Sequence, residues 1–363
     1  METKVKENLK DLVSPLAEAS RWGHEQVVFC QDQDVGLKAI IGIHDTTLGP
    51  SLGGVRLWNY QKEEDALRDV LRLSRGMTYK SSLAGLNLGG GKAVIISDVK
   101  NKSEALLRRF GQFVHTLGGR YWTAEDVNMN IRDMDYIRME TPHVVGLSRE
   151  SGGSGNPSPL TAYGVYIAMK AAAKRRYGKD SLQGKTILIQ GAAGSVGHSL
   201  AQLLAKELPE LLISDIQEDR LLSLYKGFPR GPRFIPPDAV YDTPADIFAP
   251  CALGGVLNED SISRMNFDII VGAANNQLHR EKEDAELLRS RDILYGPDFL
   301  VNSGGVISVA YEFAGKYDEK AVYSRIDLIY DTLLNVFKKA DKAKLSSHQA
   351  AMKLAEERIH QIR

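Results

Sequence analysis

A chain of 363 residues, 43% of them hydrophobic and 25% charged, has the make-up of a soluble globular protein long enough for two domains with separate cores. Its 46 Lys and Arg balance 46 Asp and Glu, which removes the basic excess expected of a nucleic-acid or anionic-membrane partner. Two cysteines, Cys30 and Cys251, are too few for a disulfide framework or a zinc site, so no metal is expected. No run of ~18 apolar residues could span a bilayer, and the charged residues 1–10 do not read as a signal peptide, which predicts a cytoplasmic protein.

Residues 1–25 read as an amphipathic helical lead-in, and residues 27–31 and 37–44 as two strands joined by a short acidic turn. A glycine-proline turn at residues 48–54 enters another strand, with Gly53-Gly54 allowing close backbone approach. Leu67, Val70, Leu71 and Met77 then recur at helical spacing and predict a helix over residues 62–79. Lys80 ends it. Lys92 follows Gly89-Gly90-Gly91 and opens the buried strand 93–96, with the glycines placed where a ligand could reach the backbone. Two ammonium groups held near each other repel, so one should lose its proton easily, and a carboxylate-bearing substrate would relieve the repulsion. The plainer reading is two surface lysines at a helix end and a turn. Residues 120–127 form an aromatic strand ending in Glu125-Asp126; Asp126 beside either lysine would make a proton-moving site. Taken alone, that acidic pair reads as a helix N-cap.

From Ser151 to Pro159 the composition shifts to Gly, Ser, Asn and Pro, which marks a hinge or domain boundary before an alanine-rich helix over residues 161–174. Residues 185–190 are a buried strand that runs into Gly191-Ala192-Ala193-Gly194-Ser195-Val196-Gly197 and a helix. The next strand, 211–215, closes on Asp215. This is the dinucleotide-binding arrangement: helix-start amides, among them those of Ser195 and Val196, hold the pyrophosphate, and the acid takes the ribose hydroxyls. A carboxylate there repels a 2′-phosphate, so NAD is the expected cofactor. The turn is one residue longer than the usual Gly-x-Gly-x-x-Gly. Further βα alternation follows, with turns at residues 249–255, 272–278 and 297–305 expected to face a ligand at the carboxyl ends of the strands. Cys251 among small residues reads as a packed hydrophobe rather than a nucleophile. Helices after Ser324 and from Ser346-Ser347 are expected to pack back on the first domain.

The chain resembles the glutamate/leucine/phenylalanine/valine dehydrogenase superfamily, closest to its leucine dehydrogenase branch. The resemblance runs through residues 49–56, 76–96, 123–127, 155–164, 249–255, 272–278, 297–306 and 355–359. It implies an α/β fold of two domains with a cleft between them. A substrate and oligomerisation domain would comprise residues 1–150 plus about 340–363, and a Rossmann NAD-binding domain residues 151–339. A homo-oligomer is expected. The resemblance further implies that Lys80 grips the substrate α-carboxylate, Lys92 polarises the 2-oxo oxygen, and Asp126 passes protons to and from water and the amine. The Gly53-Gly54 backbone borders that site. Thr161 and Asn275 would hold the nicotinamide half of NAD, with Cys251-Ala252 beside its adenosine half.

Glutamate dehydrogenases carry a lysine where this chain has Leu52 and a serine where it has Val309. Leu52, Met77, Val306 and Val309 would instead form an apolar pocket, in which an unpaired second carboxylate costs roughly 3–5 kcal/mol. One methylene is worth only ~1–3 kcal/mol, so leucine, isoleucine and valine should all be accepted. The expected function is reversible NAD-dependent oxidative deamination of branched-chain L-amino acids to 2-oxo acids and ammonia. An aromatic amino acid as substrate, or a non-catalytic nucleotide-binding regulator, are the other readings. Asn128-Met129-Asn130 departs from the Gly-Thr that usually follows Glu-Asp-Val and changes the water pocket near Asp126.

Overall fold

A computed structural model describes residues 14–315 and 317–362. They divide into two compact units: residues 14–82, Leu86–Gly155 and Ile362 in the first, and Leu83–Gly85 with Asn156–Gln361 in the second. The first thirteen residues of the expected lead-in helix lie outside the described residues; α1 (Pro15–Trp22) follows, capped by Ser14.

The first unit is built on six strands: β1 (Gln26–Asp32), β2 (Leu37–Asp45), β3 (Ser51–Leu52), β4 (Val55–Trp58), β5 (Gly89–Ile96) and β6 (Tyr121–Trp122). Their order is β1-β2-β5-β3-β6, and β4 also pairs with β5. Helices α2 (Glu63–Leu83), α3 (Glu104–Thr116) and α4 (Ile131–Arg138) cover the sheet. Successive strand residues point to opposite faces, and the two clusters of core residues divide by that rule. Ala39, Ile41, Ile43, Val55, Leu57, Ala93 and Ile95 pack with Leu106, Phe110, Met134 and Ile137 of α3 and α4. Ile40 and Val94 pack with Ala66, Leu67, Val70 and Leu71 of α2. Arg56, between Val55 and Leu57, and Lys92, two residues from Val94, therefore both project to the α2 side.

The second unit carries β7 (Thr186–Gln190), β8 (Glu210–Ser214), β9 (Arg233–Phe234), β10 (Ala245–Pro250), β11 (Phe267–Ile270) and β12 (Leu294–Tyr295). All pair in parallel in the order β12-β11-β10-β7-β8-β9. Two three-strand halves thus diverge from β7 and β10, the doubly wound Rossmann arrangement with its switch point between those strands. Ile187, Leu188, Ile189 and Phe248 are fully buried, as a sheet covered on both faces demands. The helices are α5 (Ser158–Tyr177), α6 (Ser195–Leu204), α7 (Glu218–Tyr225), α8 (Glu259–Arg264), α9 (Glu281–Ser290), α10 (Asp298–Val301), α11 (Gly304–Phe313), α12 (Glu319–Ala343) and α13 (Ser347–His360).

One boundary is corrected. Residues from about 340 do not join the first unit: α12 and α13 belong to the second, up to Gln361. The reason is local. α13 packs on α12, α9 and β12, burying Ala350, Ala351, Ala355 and Ile359. The Ser347 hydroxyl donates to Tyr295 O on β12, and Lys339 of α12 pairs with Glu357.

Candidate active site

Lys92 enters its site through strand geometry and Asp126 through a loop. Lys92 is 6% exposed on β5, and its ammonium lies 2.9 Å from Asp126 Oδ1. Lys92 is thus a cation held by an acid. Asp126 is not a helix N-cap either: α4 starts later, capped by Asn130 in a reciprocal capping box with Asp133. The tight approach depends on Gly54. A Cβ there would stand 2.4 Å from Glu125 O and 3.0 Å from Asp126 Cβ. A Cβ on Gly53 would meet Gly91 O at 1.7 Å and Met77 Cγ at 3.3 Å. Gly89-Gly90-Gly91, expected to admit a ligand, is filled by protein instead. A Cβ at Gly90 would strike Thr78 N of α2 at 2.2 Å, and one at Gly91 the Tyr121 ring at 2.7 Å.

The other oxygen of Asp126 reveals what sequence reasoning missed. Arg56 Nε donates to Asp126 Oδ2 at 2.9 Å and Arg56 Nη1 to Asp69 Oδ2 at 3.0 Å. Asp69 also accepts from the Tyr60 hydroxyl. Burial alone would raise the Asp126 carboxyl, but Lys92 and Arg56 outweigh it and hold it well below the usual carboxylate range. Glu125 moves the opposite way, raised by burial and then by Asp126. Strand alternation between two apolar residues reads as a solvent-facing Arg56, so nothing in the local pattern marked it as largely buried between two acids.

Lys80 lies within the last turn of α2 rather than ending it, half-buried and three residues from half-buried Met77. A Cβ at Gly76, one turn before it, would meet nothing within 4 Å, so there is open space along this side of α2. Leu52 is 1% exposed, enclosed on β3 between β5 and β6.

The expected substrate residues Val306 and Val309 and all the expected cofactor residues, Thr161 among them, belong to the second unit. Gly191 ends β7 with φ +82°, a conformation that favours glycine, and a Cβ would strike Ala252 N at 2.8 Å. Cys251 N donates to Gln190 O at 2.8 Å, so the ends of β10 and β7 close on each other. Burial pushes the Cys251 thiol up to about 12, which suits packing and not nucleophilic attack. Gly194 precedes α6 and supplies no side-chain cap, so the first-turn amides, including those of Ser195, Val196 and Gly197, have no intrahelical acceptor. A Cβ at Gly194 would meet only Gly191 O, at 3.2 Å. That leaves a cradle of N–H groups open to a diphosphate, whereas at Gly197 a Cβ would meet Gly191 O at 2.3 Å. Asp215 braces the longer turn: Oδ2 accepts Ala193 N and Oδ1 accepts Gln217 N, both at 2.9 Å. A carboxylate with two such bonds keeps acceptor capacity for ribose hydroxyls. Exposed Ile216 and Leu253, just beyond β8 and β10, add apolar surface that periodicity did not reveal.

Asn275 is exposed at the end of the β11 turn, and its Oδ1 accepts from Asn302 Nδ2 at 2.9 Å. Asn302 Nδ2 also reaches Ala273 O at 3.0 Å. Thr161 sits on α5 with Oγ1 2.9 Å from where a Cβ on Gly305 would be, and Val306 and Val309 are each 8% exposed on α11.

Residues 24–143 match the family model described as Glu/Leu/Phe/Val dehydrogenase, dimerisation domain. Residues 152–217 and 207–363 match that described as Glutamate/Leucine/Phenylalanine/Valine dehydrogenase. The chain belongs to the Glu/Leu/Phe/Val dehydrogenase family. It is an amino acid dehydrogenase, and enzymes of this family work with a nicotinamide cofactor. This dehydrogenase is 49% identical over 344 residues to the leucine dehydrogenase of Thermoactinomyces intermedius, covering 94% of this chain and 93% of that one. It is 44% identical over 350 residues to the valine dehydrogenase of Streptomyces virginiae, covering 96% and 97%. The crystal structure of L-tryptophan dehydrogenase from Nostoc punctiforme matches with a TM-score of 0.81 and 42% identity, over 96% of this chain and 99% of that one. Among the described residues no helix is long and apolar enough to cross a membrane.

Proposed function

We propose that this dehydrogenase deaminates branched-chain L-amino acids with NAD, giving 2-oxo acids and ammonia, and runs in reverse with ammonia. The observation that carries the reading is the Lys92–Asp126 pair at 2.9 Å, a buried cation and acid able to share work on one substrate carbon. Lys80 would hold the substrate α-carboxylate from α2, in the open space beside Gly76. When bound, the nicotinamide supplies a hydride acceptor. With the substrate amine deprotonated, loss of hydride from Cα leaves an iminium, to which water adds while Asp126 takes a water proton. Lys92 stabilises the oxygen of the resulting carbinolamine. Asp126 then returns its proton to the nitrogen; as the C–N bond breaks and ammonia departs, Asp126 takes the hydroxyl proton, which leaves the C=O of the 2-oxo acid. Paired with both Lys92 and Arg56, Asp126 is a weak base; drawing Lys92 to the substrate oxygen makes it a better one.

Leu52 and Met77 favour an aliphatic side chain over a second carboxylate, for which neither supplies a partner. Asp215 favours NAD over NADP, because a carboxylate at the end of β8 repels a 2′-phosphate. The match to a dimerisation domain supports a homo-oligomer, and two cysteines with no disulfide support a reducing, cytoplasmic setting. The similarity to L-tryptophan dehydrogenase favours one competing reading, an aromatic substrate. Initial rates with leucine, isoleucine, valine, phenylalanine, tryptophan and glutamate, each with NAD and NADP, separate the two. Leucine with NAD should lead, and a strong preference for tryptophan or phenylalanine would replace the aliphatic assignment.

A further inference from the structure

The proposed reaction asks Lys92 to leave Asp126 for a substrate oxygen, which takes one cation away from the carboxylate. A second cation is already built in. Arg56 spans two acids with its fork, Nε to Asp126 and Nη1 to Asp69, so rotating the guanidinium would break both bonds. Asp69 is itself held by the Tyr60 hydroxyl. The Arg56 side chain is 20% exposed, and its bond to Asp126 comes from β4, whereas that of Lys92 comes from β5.

We propose that Arg56 is a positioning residue for the dehydrogenase reaction: it keeps Asp126 ionised and fixed in direction while substrate engages Lys92, and Asp69 and Tyr60 hold Arg56 in place. This rests on Asp126 being the proton carrier. The groups facing Asp126 are Lys92 from β5, Arg56 from β4, its chain neighbour Glu125, and Tyr121 from β6. Burial raises Glu125 and Tyr121, and Asp126 raises both further, so neither supplies positive charge. The Tyr121 hydroxyl is committed to Gly53 O at 2.7 Å and Thr123 Oγ1 at 3.2 Å. Once Lys92 turns to substrate, Arg56 is the cation left on the carboxylate.

The test is the pH profile of kcat for amino acid oxidation by the full-length enzyme, since kcat reports groups in the substrate complex. Removing a cation raises a carboxylate, so Arg56→Met should move the acid limb up by about one pH unit or more and lower kcat about tenfold at neutral pH. Arg56→Lys should bring the limb most of the way back, because the charge returns without the fork. Asp69→Asn should give a smaller upward shift. A lower kcat with an unmoved limb in Arg56→Met overturns the proposal and leaves the role of Asp126 standing. Wild-type turnover in Asp126→Asn overturns both. If Arg56→Met does not fold, Asp69→Asn decides, and an unmoved limb there overturns the proposal.

Discussion

The glycines of the two units serve opposite ends. Around Lys92 and Asp126 they remove side chains so that protein can press against protein: Gly53 on Gly91, Gly54 on Glu125, Gly90 on α2. The charged side chains proposed to carry the chemistry there are paired at 2.9 Å. At the head of α6 the groups proposed to hold the cofactor are uncharged backbone amides, and a Cβ on Gly194 would meet a single atom, Gly191 O at 3.2 Å. Glycine-rich sequence is therefore a poor guide to where a ligand sits unless the contacts of a hypothetical Cβ are known. Side-chain changes should abolish chemistry in the first unit, while a single methyl group should affect folding in one unit and binding in the other.

The largest effect is expected at the charged pair. Lys92→Ala or Asp126→Asn should lower turnover by ~10²–10⁴ with NADH affinity unchanged, measured by steady-state rates and fluorescence titration. Wild-type rates would erase the contrast between the units. Next comes Gly53→Ala, whose Cβ would meet Gly91 O at 1.7 Å. Overpacking there should cost about 1–3 kcal/mol or more, seen as a lower Tm with or without cofactor. By contrast Gly194→Ala, with φ −72° and one 3.2 Å contact, should change stability by less than about 1 kcal/mol. It should nevertheless weaken NADH binding by about tenfold, near 1.4 kcal/mol. Unaltered NADH affinity would mean that the turn does not cradle a diphosphate.

A further effect should appear with pH, at a pair of histidines packed against α2. His24 and His44 lie with ring centroids 4.9 Å apart, sharing hydrogen bonds with Ser74 Oγ at 2.7 Å and Thr78 Oγ1 at 2.8 Å. Burial first and then His44 lower His24 to about 3; burial lowers His44 to about 4, outweighing Asp45, which raises it. Both are depressed in the folded state, so their contribution to stability is complete above the unfolded value near 6.5. It declines as pH falls toward 4, by up to about 1.4 kcal/mol per pH unit for each ring. Tm should drop between pH 6.5 and 4 in the wild type and less steeply in His24→Gln. Equal slopes would remove the histidine pair from acid sensitivity.

What could be read from sequence was what lies close along the chain. The β7–turn–α6 segment, Asp215 at the end of β8, and the helices at 158–177 and 347–360 all follow from local periodicity and capping residues. Lys92 and Asp126 could be nominated as neighbours, but the second cation, Arg56, and its other acid, Asp69, could not. Asp69 looks like one more acid on an amphipathic helix, and only the pairing of β4 with β5 brings Arg56 between it and Asp126. The packing partner of α13 was likewise out of reach. Its buried alanines show which face is covered without saying what covers it.

That last helix has a consequence for biosynthesis. β12 is the outer strand of the second sheet, bonded only to β11 there, and an uncovered strand edge invites pairing with other chains. Its cover comes from α13, where Ser347 is bonded to a strand residue made 52 positions earlier. During translation the edge stands open until α13 has emerged, so the nascent protein passes through an interval when its nucleotide domain is prone to aggregate.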